Sequence, residues 1–316
     1  MFLCVSANPA IDKRLRLPSL LRGRVNRARS VESFAGGKAA HVAMVLRTLG
    51  EKPMWLGPYG GANGKELLAG LSQLGIEATG IPTKQVTRMN LEILESDGTV
   101  TEILEPGTTP GKEEWAAFEA QYRDLLAKGT EKLSVVLSGS LPDGTVQDLY
   151  ARLIAMAHEF QCRTFFDTSG EALRLGLRAK PWFVKPNREE VSKLLGMEVN
   201  SSSKAVVAVE RLLELGAQSA ALSLGSEGLL FCSGTGEVVL HAAALPVAAH
   251  STVGCGDSAV AGFAFALASN FATEEALRLA TACATANCLA ESPGAAKLED
   301  IRNFERQVLV QKLTTA

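Results

Sequence analysis

Between residues 2 and 234 the chain keeps switching between short β-type apolar runs and longer helical patterns, and few architectures accommodate that rhythm. FLCVSA precedes AAHVAMVLRTLG, SVVLSGS precedes VQDLYARLIAMAHEF, RTFFDTSG precedes EALRLGL, and PWFVKPN precedes REEVSKLLG. KAVVAVERLLELG followed by SAALSLGSEGLLFCSG repeats the order, with a helix feeding a strand pair. Strands alternating with helices form βαβ units, whose crossovers enforce a parallel sheet between helical layers. The expected class is therefore α/β with a mostly parallel central sheet. Beyond Asp257, AVAGFAFALAS, EEALRLATACATANCLAE and LEDIRNFERQVLVQKL all carry helical spacing with no strand between them. The sheet is accordingly expected to be complete by residue 250.

Two stretches break the rhythm. IDKRLRLPSLLRGRVNRARSVESFAGGK is one, and the other is TRMNLEILESDGTVTEILEPG, where alternation flanks Ser96, Asp97 and Gly98 in the manner of a hairpin. They read as strands outside the main sheet, forming a small β lid contributed by residues 12–34 and 86–106. With no repeat, low-complexity segment or Pro/Gly/Ser linker, residues 1–316 are expected to form a single domain, and 47% apolar content is enough to fill its core.

The charge is nearly balanced, 32 basic against 34 acidic residues, and no segment concentrates Lys and Arg as a nucleic-acid-binding arm does. A small-molecule partner is expected instead. The six cysteines show no CxxC spacing and lie mostly in apolar runs, which points to neither a disulfide framework nor a zinc site. No apolar run reaches membrane-spanning length, and the N-terminus reads as a strand. A soluble, cytoplasmic protein is expected.

Chemistry concentrates in TVGCGD. Gly254 and Gly256 let backbone amides turn toward one point, and Asp257 opens a helix whose N-terminus favours negative charge. On one reading Asp257 is a helix cap. On the other, the amides hold a phosphate carrying developing charge while Asp257 accepts a proton from the attacking hydroxyl. Gly254, Gly256 and Ala259 also fit G-x-G-x-x-A, but no strand follows to complete a dinucleotide-binding unit. FAGGKAAHVA places Gly36, Gly37 and Lys38 ahead of another helix, a loop offering a cation to an anionic group. Beside Asp12, in the turn after the first strand, it reads as a sugar site: a carboxylate for hydroxyls and a lysine for phosphate. KPNREE offers Lys185, Asn187 and Glu190, and in isolation reads as an Asn cap with an acidic first turn. Asp167 in DTSG reads as a site-facing residue at a strand end. His41 reads as a solvated or capping histidine, and the four histidines show no metal-ligand spacing.

NPAID at 8–12, AGGK, LSGSLPDG at 137–144, DTSGEAL at 167–173, KPNREE at 185–190, SLGSEG at 223–228 and STVGCGDS at 251–258 span almost the whole chain. In order and spacing they resemble the PfkB branch of the ribokinase-like sugar kinases, especially its 1-phosphofructokinase and tagatose-6-phosphate kinase group. The resemblance implies a three-layer α/β/α sandwich with a small β lid, ATP and Mg2+ as cosubstrates, and a phosphorylated ketohexose as acceptor. Fructose 1-phosphate, giving fructose 1,6-bisphosphate, is the first expectation; tagatose 6-phosphate and fructose 6-phosphate are alternatives. It assigns Asp257 as the base and the amides of Gly254, Cys255 and Gly256 as an anion hole. It assigns Asn187 and Glu190 to magnesium and phosphate, Lys185, Ser223, Gly225, Gly228 and Thr252 to the nucleotide, and Asn287 to the adenine. Asp12, Gly36, Gly37, Lys38, His41, Arg88, Asn90, Ser138 and Gly139 fall on the acceptor side. A homodimer through the lid is expected as well. Two departures stand out: the usual AGGKG-x-N reads AGGKAAH, so His41 replaces a substrate-contacting Asn, and the usual G-A-G-D reads G-C-G-D. A non-catalytic sugar-phosphate or nucleotide sensor on the same fold is the other class, disfavoured by the intact Asp257, Asn187 and Glu190.

Overall fold

Successive residues of the first strand, β1 (Phe2–Val5), point into different cores: Phe2 and Cys4 into one, Leu3 and Val5 into the other. Phe165 and Phe166 divide in the same way. A strand buried on both faces has no polar side to show, which is why these runs are continuously apolar. The computed structural model describes residues 1–129 and 133–313.

The main sheet is built from β1, β4 (Met54–Tyr59), β5 (Glu77–Pro82), β8 (Ser134–Ser138), β9 (Arg163–Asp167), β10 (Phe183–Val184), β11 (Ser219–Ser223), β12 (Leu229–Cys232), β13 (Val239–Ala242) and β14 (Val310–Leu313). Their order is β14-β13-β12-β11-β10-β9-β8-β1-β4-β5, parallel from β11 to β5 and antiparallel from β11 to β14. One face is covered by α1 (Lys38–Thr48), α2 (Gly61–Gln73), α8 (Cys255–Ala268), α9 (Thr273–Cys288) and α10 (Leu298–Glu305). The other carries α3 (Lys112–Lys128), α4 (Leu149–Glu159), α5 (Gly170–Arg178), α6 (Arg188–Leu195) and α7 (Ser202–Glu214). The result is an α/β/α sandwich. No helix among the described residues is long and apolar enough to cross a membrane.

The sheet does not end by residue 250. After α10 stops at Glu305 the chain returns and adds β14 antiparallel to β13. The apolar spacing of LEDIRNFE is helical, but in VLVQKL it becomes alternation at a polar edge, a change hidden when the stretch is read as one helix.

A second sheet of four strands has the order β3-β2-β6-β7, from β2 (Ala10–Leu17), β3 (Ser30–Gly36), β6 (Arg88–Glu95) and β7 (Val100–Leu104). Register puts Asp12 opposite Asn90 and Arg14 opposite Glu92, so four polar side chains share one face. Asp12, Arg14 and Glu92 are buried there. The opposite face pairs Leu15 with Val31 and Leu91 with Ile103, and Val31 and Ile103 are 60% and 52% exposed. The sheet thus turns its polar face inward, toward the main body.

Candidate active site

Most of the residues singled out from the sequence lie where the main strands end. Ser138 closes β8 with Gly139 next, Asp167 closes β9, Lys185 follows β10 and Ser223 closes β11, whereas Asp12 lies not in the turn after β1 but within β2, which extends the chain into the second sheet over that edge. Ligands of open α/β sheets bind outside these carboxyl ends, where helix N-termini also point. Helices α1 and α8 pack together and bring their N-termini to this edge.

Both helices start on glycine with positive φ, Gly37 at 85° and Gly254 at 80°. A side chain at either position would meet strain, and at Gly254 a Cβ would also press on Pro293 at 2.9 Å. A Cβ on Gly36 would overlap the Asp12 carboxylate, so the glycine pair lets β3 approach β2 closely. At the start of α8, Cys255 N donates to Thr252 O at 3.3 Å. The amides of Gly254 and Gly256 donate no backbone hydrogen bond among the described residues, so two of the three donors of the expected anion hole are free while the Cys255 amide is partly engaged; the Asp257 amide beside them is free as well. Lys185 Nζ lies 3.5 Å from where a Gly256 Cβ would stand, bringing an ammonium to the turn.

The expectation for His41 is corrected. The ring is neither solvated nor a cap: it is 5% exposed and spans two carboxylates, Nδ1 donating to Asp257 Oδ2 at 2.8 Å and Nε2 to Asp12 Oδ2 at 2.9 Å. Burial pulls its pKa down, but the hydrogen bonds and charges of Asp12 and Asp257 prevail and push it up to about 10. Burial raises and His41 more than reverses the shift at Asp12, whose pKa is lowered overall. Asn90 Nδ2 donates to Asp12 Oδ1 at 2.8 Å, and its own Oδ1 is buried without a partner.

A second cluster surrounds Asp167. Its buried carboxylate pairs with Lys38 at 3.2 Å and Lys185 at 3.7 Å, and Ser138 Oγ donates to it at 3.5 Å. Burial raises the Asp167 pKa, and Lys185 and Lys38 overturn that to leave it lowered. Lys38 is correspondingly held protonated: burial opposes its charge, and Asp167, then Asp257 and Glu190, outweigh it. Gly139 lends only its backbone, its carbonyl accepting from Tyr150 and Thr168. Arg88, the first residue of β6, donates to the carbonyls of Asn8 and Glu105 and pairs with no carboxylate among the described residues. Burial lowers its pKa.

Asn187 and Glu190 form a capping box on α6: Asn187 Oδ1 accepts from Glu190 N at 2.9 Å, and Glu190 Oε2 from Asn187 N at 2.8 Å. Burial, then the charge of Asp167, raises the Glu190 pKa. Asn187 bridges Ser223, and Gly225 and Gly228 shape the tight turn between β11 and β12, with open space over Gly225. Asn287 is not placed to meet a base. It is 2% exposed, its Nδ2 donating to Val253 O at 2.7 Å and its Oδ1 accepting from Gly294 N at 2.8 Å, so it braces the Gly254 turn from behind.

The match to known proteins runs through this whole frame: "pfkB family carbohydrate kinase" fits residues 4–300. The chain belongs to the pfkB family of carbohydrate kinases. Among its relatives, a protein named 1-phosphofructokinase from Xanthomonas campestris pv. campestris is 34% identical, covering 98% of this chain and 97% of its own. Another of that name, from Borreliella burgdorferi, is 29% identical over all of both chains. Among solved structures, phosphofructokinase-2 from Escherichia coli in complex with substrates and products aligns with a TM-score of 0.89 at 27% identity, covering 97% of this chain and 98% of that one. The fold is ribokinase-like.

Two buried charged groups of this pfkB kinase carry little local signal. Asp167 was recognisable as a strand-end acid, yet nothing in the sequence announced that it anchors both lysines. Arg14 forms a buried pair with Glu92 at 2.7 Å, and Ser251 Oγ donates to Glu92 Oε1 at 2.7 Å, tying the second sheet to the segment that leads into the Gly254 turn. The alternating charges of RLRL and NLEI were its only signal.

Proposed function

We propose that this pfkB kinase transfers the γ-phosphoryl group of ATP, bound with Mg2+, to the free primary hydroxyl of fructose 1-phosphate, giving fructose 1,6-bisphosphate. The observation that carries the reading is Asp257. One carboxylate oxygen is tied to His41, the other takes no hydrogen bond among the described residues, and unpaired helix amides lie beside it. The hydroxyl of the sugar gives its proton to Asp257 as its oxygen bonds the γ-phosphorus, and the bond from that phosphorus to the ADP oxygen breaks. The Gly256 and Asp257 amides and Lys185 take up the charge on the transferred group.

On the acceptor side, Asp12 and Asn90 meet hydroxyls, while Arg88 and Lys38 supply the cations that a phosphorylated sugar needs and a plain sugar does not. Gly36, Gly37, Ser138 and Gly139 shape the backbone around it. The nucleotide lies along Lys185, Asn187, Ser223, Gly225, Gly228 and Thr252. Mg2+ with ATP supplies neutralisation of the phosphate charge. Glu190 fits a water-mediated role toward that ion, because its repulsion with Asp167 is what a cation would relieve and the capping box leaves its Oε1 free. No three His, Cys, Asp or Glu side chains among the described residues form a metal cluster of their own, in keeping with an ion that arrives with the nucleotide.

Fructose 6-phosphate is the second reading, supported by the likeness to phosphofructokinase-2, one of whose structures is in complex with that sugar phosphate. We also infer a homodimer through the apolar face of the second sheet, and a reducing, cytoplasmic setting from the cysteine pattern. The test is an ATP-dependent assay over fructose 1-phosphate, fructose 6-phosphate, tagatose 6-phosphate, fructose and ribose. Highest kcat/KM on fructose 1-phosphate is expected; preference for an unphosphorylated sugar would overturn the acceptor assignment, and no turnover at all would favour a sensor.

A further inference from the structure

A ring that touches two carboxylates must donate twice, because a carboxylate only accepts. His41 therefore carries protons on both nitrogens, and the trio of Asp12, His41 and Asp257 bears one net negative charge instead of two. We propose that His41 is a positioning residue, a buried imidazolium that clamps one oxygen each of Asp12 and Asp257 and leaves the second oxygen of Asp257 for the sugar hydroxyl. The inference rests on the assignment of Asp257 as the base.

The amide usual at this position in the family could not do the same. Its donors lie on one nitrogen, so spanning two carboxylates from opposite ends would turn its carbonyl against one of them. With both ring nitrogens consumed, His41 also offers nothing to the substrate, and the acceptor hydroxyls fall to Asp12 and to the unpartnered Asn90 Oδ1. The groups facing the ring account for its charge. Asp12 comes from β2, Asp257 from α8 and, further off, Glu102 from β7. Lys38 lies on the same helix and pairs with Asp167.

The four histidines make selective 15N NMR of the full chain practicable. One imidazole should hold both protons at about pH 8, well above the ordinary histidine range, and lose one near pH 10, and this signal should be missing in His41→Asn. In wild-type enzyme kcat should fall as that proton is lost. His41→Asn should lose about tenfold or more of kcat at neutral pH, lack that alkaline limb, and keep its KM for ATP. A neutral ring at about pH 8, or a variant with wild-type kcat and pH profile, would overturn the clamp. If the variant does not fold, the wild-type NMR titration and His41→Gln decide, and because the NMR reads the ring alone, a wrong assignment of Asp257 would show separately.

A different observation carries a second inference. Cys255, inside the glycine turn, and Cys288, at the end of α9, are free thiols with their sulfurs 3.2 Å apart, and both are partly accessible. We infer that a peroxide converts this pair to a disulfide that pulls on the first residue of α8 and disables the anion hole. Cys288 attacks a peroxide oxygen to give a sulfenic acid and one water; Cys255 then displaces the second water as the disulfide forms, so two thiols reduce one peroxide. The hydrogen bond from Cys255 lowers the Cys288 pKa to about 7, which supplies the thiolate. Hydrogen peroxide should remove two titratable thiols, link the two peptides and abolish turnover, with recovery in dithiothreitol. Cys288→Ser should keep its activity throughout. An unchanged thiol count, or equal inactivation of Cys288→Ser, would overturn the inference.

Discussion

Two side chains test the site at the scale of single residues. Arg88 spends its donors on two backbone carbonyls and has no acidic partner among the described residues, leaving its positive charge for a substrate phosphate. Arg88→Ala should raise KM for the sugar phosphate by about tenfold or more while KM for ATP changes little; steady-state kinetics would show it, and equal changes in both would remove the clamp assignment. His41 links the site to stability. Its pKa is about 10 folded against 6.5 unfolded, so the folded chain holds an extra proton between those values. That stabilisation is complete below about pH 6.5 and is lost as pH rises through about 10. The Tm of the wild-type protein should therefore fall between neutral pH and pH 10 more steeply than that of His41→Asn, as calorimetry would record. The sequence showed that His41 departs from the family pattern, but not that Asp12 and Asp257, 245 positions apart in the chain, would close on it from both sides. That is a tertiary fact no local pattern contains.

Among the elements, those with strong periodicity were legible. The apolar run of β1 follows from burial on two faces and the helical spacing of α4 and α7 from burial on one stripe, and burial writes itself into composition. The strand β14 was not legible, because four residues at a polar edge carry too little alternation to compete with the preceding helix. The second sheet was legible as strands, yet alternation alone does not say which face turns inward, and here it is the polar one. The buried Arg14–Glu92 pair is the consequence with the largest energetic stake. Glu92→Leu should cost about 3–5 kcal/mol by leaving the guanidinium uncompensated, measured by denaturant unfolding; a cost under about 1 kcal/mol would mean that the pair is solvated in solution. The capping box at Asn187 shows the converse case, in which a local reading and a functional one share the same atoms.

For the whole molecule, the sandwich accounts for the position of the site and the second sheet for what covers it. Its outer face, with Val31 and Ile103 more than half exposed, is the surface we assign to a second copy of the chain. Light scattering should give twice the 33.4 kDa of one chain, and Ile103→Lys should give a single chain; a monomeric wild-type protein would contradict the assignment. The proposed transfer turns on Asp257 as the base of a sugar-phosphate kinase. It is tested most directly by comparing wild type and Asp257→Asn in the ATP-dependent conversion of fructose 1-phosphate to fructose 1,6-bisphosphate, with ATP affinity measured alongside. Asp257→Asn should lose at least about 10²- to 10⁴-fold of kcat with ATP binding intact, whereas near-normal turnover in the variant would remove Asp257 from the role of base.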